Sequence, residues 1–114
     1  MVHEVTFENF ENVVDSHDLV ILDFWASWCG PCKAFAPVFE EASNRYPSVY
    51  FGKVNTDTAR DLSEAFRIMS IPTLMVFRKT ELVFEKSGLV PPGALFQLIE
   101  QWQESLKAAP ELQA

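Results

Sequence analysis

Cys29 and Cys32 are the only two cysteines in this 114-residue chain, and they stand in the run Trp28-Cys29-Gly30-Pro31-Cys32. With two residues between them, two thiols can close a small disulfide with little movement of the backbone. The apolar run before the pair and the helical pattern after it predict a strand-to-helix turn. On such a turn the first cysteine meets the N–H groups and positive dipole end of a helix, which favour the thiolate. The thiolate is the attacking species in disulfide exchange. The second cysteine falls about one turn further in and is expected to be more buried, suited to resolve a mixed disulfide from inside. Pro31 lacks an N–H and fits an early helical position without loss.

Two other readings of the pair are weaker. A structural zinc site takes about four ligands, and His3 and His17 are distant from the pair in sequence. An inert staple is disfavoured in a reducing compartment, which is the compartment expected here. The start of the chain, Met1-Val2-His3-Glu4, has no basic region leading into an apolar stretch, and no segment reaches the length needed to span a bilayer. The expectation is therefore a cytoplasmic protein.

The elements that must carry the cysteines can be read from periodicity. Thr6 can cap a helix with Phe7, Phe10, Val13 and Val14 at helical spacing. Leu19 to Ala26 is too continuously apolar for a half-exposed strand and reads as a central strand covered on both faces. The helix after the cysteines carries Phe35, Val38, Phe39, Ala42 and Tyr46 on one side, with Pro37 expected to kink it. Val49 to Asn55 is a second central strand. Asp57 or Thr58 is expected to cap a short helix whose Ala59, Leu62, Ala65 and Phe66 face inward. Thr73 to Phe77 and Leu82 to Phe84 form a hairpin. A last helix opens near Pro91-Pro92 and presents Leu95, Leu98, Ile99, Trp102 and Leu106. This alternation predicts an α/β fold, with one domain over 1–107 and a frayed tail over 108–114.

Composition narrows the partners. The hydrophobic fraction is 48%, including ten Phe and three Trp, which suits a folded core. The net charge of −7 argues against nucleic acid and against an anionic membrane surface. No Gly-rich phosphate loop is present, so no bound nucleotide is expected. His3 and His17 are read as having no chemical role.

The motif Trp28-Cys29-Gly30-Pro31-Cys32, preceded by Asp23-Phe24-Trp25-Ala26, resembles the active site of the thioredoxin family. The likeness extends to Lys33 and Ala36-Pro37, to Lys53-Val54-Asn55, to Ser70-Ile71-Pro72-Thr73 and to Gly88. It implies a thioredoxin fold, with a central five-stranded mixed sheet flanked by four helices. By the same resemblance Cys29 corresponds to the attacking thiol and Cys32 to the resolving thiol. Asp23 corresponds to a buried carboxylate that assists proton transfer to and from Cys32, and Lys53 to the lysine near it. Pro72 corresponds to a cis-proline facing the disulfide, with Ile71 offering backbone groups to an extended substrate. Trp28, Gly30, Pro31 and Gly88 correspond to parts of a docking surface. The implied function is reduction of protein disulfides by an electron carrier, acting as a monomer on disulfide-containing clients and recycled by a flavin-dependent thioredoxin reductase. No cofactor is implied beyond the redox-active disulfide itself.

Two of these assignments have support in the residues themselves. Asp23 interrupts an apolar strand, where desolvation should raise its pKa and make it a plausible general base near neutral pH. Lys53 alternates with Val49 and Phe51 and so shares their face; an ordinary snorkelling lysine is the alternative. The chain also departs from the family pattern. Thr80 and Arg67 stand where glycines are common, and Pro91-Pro92 replaces a more ordinary helix start. A β-branched residue is poor at positive φ, which leaves the turn type at Thr80 open. Three rival readings are a disulfide oxidant or isomerase on the same fold, a binding module with incidental thiols, and a carrier dedicated to one pathway.

Overall fold

A run of Val, Ile, Leu and Phe at positions 19–25 places one strand at the centre, and everything else packs around it. The computed structural model describes residues 1–112. Its elements in chain order are β1 (Val2–Glu4), α1 (Phe7–Ser16), β2 (Leu19–Trp25), α2 (Gly30–Arg45), β3 (Tyr50–Asn55), α3 (Arg60–Ala65), β4 (Thr73–Arg78), β5 (Glu81–Ser87) and α4 (Pro92–Leu112). The sheet order is β1-β3-β2-β4-β5. β3 runs parallel to β1 and β2, whereas β4 is antiparallel to β2 and β5 to β4. This is the five-stranded mixed sheet with flanking helices that the resemblance implied.

Alternation along β2 sorts the core into two layers. Leu19 and Ile21 face a cluster built with Phe35, Phe39 and Ala42 of α2 and Leu95 and Ile99 of α4. Val20, Leu22 and Phe24 face the other cluster, with Val13 and Val14 of α1 and Leu62 of α3. Both faces of β2 are thus covered, as its unbroken apolar character requires.

Several expectations shift. β1 is three residues long and shows no strand period of its own; its pairing with β3 defines it. Phe7 is exposed and Ala65 is exposed, so neither belongs to its expected inner face. The cap of α3 is Ala59, not Asp57 or Thr58. β5 extends on both sides of the expected Leu82 to Phe84. α4 continues to Leu112, so much of the expected tail over 108–114 is helical. Ala and Lys are strong helix formers and no capping glycine stands at that point; residues 113–114 lie outside the described residues.

The two missing glycines have a physical cost that the fold accepts. Arg67 closes α3 at φ 55. Its N–H donates to the Glu64 carbonyl at 2.9 Å and the Ile68 N–H to the Ser63 carbonyl at 3.0 Å. This is the paired bond pattern that a glycine usually supports at a helix end. The β4–β5 turn holds Lys79 at φ 49 and Thr80 at φ 71, the type I′ pattern, one of the two two-residue turns whose twist matches that of the flanking strands. Thr80 therefore bears the steric penalty of a β-branched side chain in that region. Thr80→Gly is expected to raise stability by about 1 kcal/mol, read as a higher urea midpoint with unchanged slope. A lower midpoint would contradict the assignment of strain to this residue.

Candidate active site

The chain leaves β2 at Trp25, turns through buried Ala26, and enters α2 at Gly30, so the strand's end delivers both cysteines. The Cys29 N–H donates to the Ala26 carbonyl at 3.2 Å, which fixes the turn. Cys29 is the N-cap of α2, and its Sγ accepts the backbone N–H of Cys32 at 3.2 Å. Sulfur here occupies the place of a capping oxygen, where helix N–H groups and dipole favour negative charge. Cys29 and Cys32 are joined by a disulfide, with Cα atoms 5.2 Å apart.

The expected difference in burial is small. Cys29 is 5% exposed and Cys32 2%. What separates them is position: Cys29 caps the helix from outside its first turn, while Cys32 lies within that turn. The pair packs against Ala26, with Trp25 and Ile71 beside it. Gly30 and Pro31 are exposed on the outer side of the turn.

Asp23 is wholly buried on β2, and neither of its carboxylate oxygens has a hydrogen-bond partner among the described residues. Its odd-numbered position puts it on the face of Leu19 and Ile21, the face that α2 covers. Burial raises its pKa from the ordinary value of 3.8 to about 7, and the positive charge of Lys53 partly opposes the rise. Lys53 sits directly across from Asp23 in the β2–β3 register. The two do not form an ion pair; the Lys53 Nζ instead lies 4.4 Å above the centre of the Trp25 ring. Lys53 thus acts on Asp23 through space while its head group rests on an aromatic face.

The other side of the disulfide is built by the loop before β4. The peptide bond between Ile71 and Pro72 is cis. The Ile71 carbonyl oxygen lies 3.8 Å from the Cys29 sulfur. Gly88, at φ 94, donates its N–H to the Pro72 carbonyl at 2.8 Å, which holds the β5–α4 turn against this loop. A positive φ is required at that point, so glycine there is a conformational need. Trp28 is 68% exposed, and its indole N–H donates to the Asp57 carboxylate at 2.9 Å.

Asp57 was expected as a helix cap and instead anchors Trp28. An aspartate just after a central strand was the visible signal, but its partner is 29 residues away in sequence. His3 and His17, also far apart in sequence, both pack on the Tyr50 ring, with centroids at 4.8 and 4.5 Å. They join neither the cysteines nor Asp23. Among the described residues no three of His, Cys, Asp and Glu converge as a metal cluster, and no helix is long and apolar enough to cross a membrane.

The site therefore offers a closed pair of sulfurs at a helix start, an unpartnered buried carboxyl that titrates near neutrality, and an exposed rim of backbone and aromatic groups. The Thioredoxin family profile matches residues 1–101. The chain is 46% identical over 116 residues to a Streptomyces coelicolor protein provisionally named thioredoxin 2, covering 97% of this chain and 87% of that one. It is 37% identical over 102 residues to the thioredoxin of Mycoplasma pneumoniae, covering 89% of this chain and all of the other. A solved thioredoxin structure from Plasmodium falciparum superposes with a TM-score of 0.79 at 39% identity, covering 87% of this chain and 97% of that one.

Proposed function

Since the chain belongs to the thioredoxin family and is a thiol–disulfide oxidoreductase, we propose that it works as a reducing electron carrier for protein disulfides in the cytoplasm. The Cys29 thiolate attacks one sulfur of a client disulfide. A Cys29–client disulfide forms and the first client thiolate leaves. Cys32 then loses its proton to Asp23 and attacks the Cys29 sulfur. The second client thiol is released, and the chain is left oxidised by two electrons with the Cys29–Cys32 bond closed.

The observation that carries this reading is the Cys29 sulfur held as a helix N-cap and accepting the Cys32 N–H. In the reduced state the same position favours a thiolate at Cys29. Asp23 supports the second step, because a carboxyl titrating near 7 exchanges protons readily at neutral pH. Lys53 tunes that carboxyl. Trp28, Gly30, Pro31 and Gly88, which are exposed, and half-buried Ile71 are the rim offered to a client; Pro72 is itself buried and acts by orienting Ile71 through the cis bond.

The carrier needs a source of electrons, and a flavin-dependent thioredoxin reductase with NADPH is the proposed one. Mixed with such a reductase and a protein disulfide, the chain should sustain continuous NADPH oxidation. Fast reduction of the disulfide by chemically reduced chain, with no turnover by any thioredoxin reductase, would leave the exchange chemistry intact and remove the proposed recycling partner. A redox potential near that of strong periplasmic oxidants would favour the oxidant reading instead.

A further inference from the structure

A groove of about 300 Å³ opens between Trp28 and α3, with Ile68, Met69 and Ile71 along it, and Ile71 connects it to the disulfide on which it packs. Met69 is 94% exposed. Two charges line this groove, Arg60 and Glu64. They sit one helical turn apart, where side chains of opposite sign usually meet, yet no ion pair joins them among the described residues.

The order of the charges supplies a reason. An acidic residue four positions before a basic one suits the helix better than the reverse. α2 carries the favourable order, and Glu41 and Arg45 pair at 3.2 Å. α3 carries the unfavourable order, and Arg60 and Glu64 are left facing the groove. Residues four apart on a helix stand about 5–6 Å apart at Cβ. Alternate residues of an extended chain, which point to one side, repeat at about 6.6 Å. The two spacings match within the reach of long side chains.

Building on the oxidoreductase reading, we propose that Arg60 and Glu64 recognise an extended client segment bearing one acidic and one basic side chain two residues apart. The acidic group pairs with Arg60 and the basic group with Glu64. The apolar surface of Met69 and Trp28 covers the residues beside them. Opposed charges also fix the direction in which the segment lies, so the two charge orders are not equivalent.

The test uses the reduced full-length chain and peptides whose single cysteine is held as a mixed disulfide with 2-mercaptoethanol. Glu-x-Lys, Lys-x-Glu and Gln-x-Gln are placed at successive offsets on either side of that cysteine, and second-order reduction rates are compared. At one offset, one charge order should react about 3- to 10-fold faster than Gln-x-Gln, the scale of two exposed ion pairs. The advantage should vanish near 1 M salt, where screening is short-ranged. The double variant Arg60→Glu/Glu64→Arg should prefer the opposite order, and Arg60→Gln or Glu64→Gln alone should retain only part of the preference. Equal rates for all charged peptides, or a preference unchanged by the double variant, would overturn the proposal while leaving the exchange chemistry standing. Failure to reduce any peptide would overturn both.

Discussion

Replacing Asp23 by Asn is expected to make the protein more stable at pH 8 and to flatten its pH dependence. Burial holds the Asp23 carboxyl near 7 in the folded chain, against 3.8 ordinarily. The folded state therefore binds the proton more tightly than the unfolded state does. Between about pH 4 and 7 the native chain carries more of this proton, so stability falls as pH rises through that window and levels off above it. The contribution is fully present below about pH 4. A shift of about three units corresponds to roughly 4 kcal/mol lost across the window, and the effect of Asn at pH 8 should be about 2–4 kcal/mol. At pH 3, with Asp23 protonated, parent and variant should agree within about 1 kcal/mol. Urea unfolding of the oxidised proteins at pH 3, 5 and 8 measures this. Two curves parallel at every pH would show that Asp23 is not ionising at a cost. The cost arises because neither carboxylate oxygen has a hydrogen-bond partner in the core among the described residues, and under the proposed function it is the counterpart of keeping a base for Cys32 there.

The second large effect is at Cys29. Cys29→Ser should lower the rate of protein disulfide reduction by at least roughly 10³-fold, because a hydroxyl is not ionised at neutral pH and does not form the covalent intermediate. The variant should fold, since serine is a good N-cap and its oxygen can accept the same N–H of Cys32. Reduction of a protein disulfide by dithiol-recycled chain is the measurement. A Cys29→Ser protein retaining a tenth or more of the activity would mean that Cys32 attacks directly.

Much of this site could be seen in the residues. The cysteine pair and the central strand before it announce a strand-to-helix turn. Asp23 is visible because a charge inside Leu-Val-Ile-Leu-Asp-Phe-Trp has nowhere wet to point. Lys53 is visible by alternation, although its resting place on the Trp25 ring depends on strand pairing. Other features depend on contacts that no local pattern encodes. Asp57 looks like a cap because aspartates often are caps, and only the approach of the β2–α2 turn reveals Trp28 as its partner. Arg67 and Thr80 adopt left-handed backbone that their side chains disfavour, imposed by the helix end and the hairpin twist. The cis bond before Pro72 came from the family resemblance alone, since most X–Pro bonds are trans. β1 is too short to carry a period, and its place at the sheet edge comes from β3.

In the proposed reaction Cys29 attacks first and Cys32 resolves. Cys32→Ser tests it most directly. Reduced Cys32→Ser protein, mixed with a disulfide-bonded client, should accumulate a covalent adduct that peptide mapping places on Cys29, with one client thiol released per adduct. An adduct-free Cys32→Ser protein beside a parent chain that leaves the client disulfide intact would contradict the account.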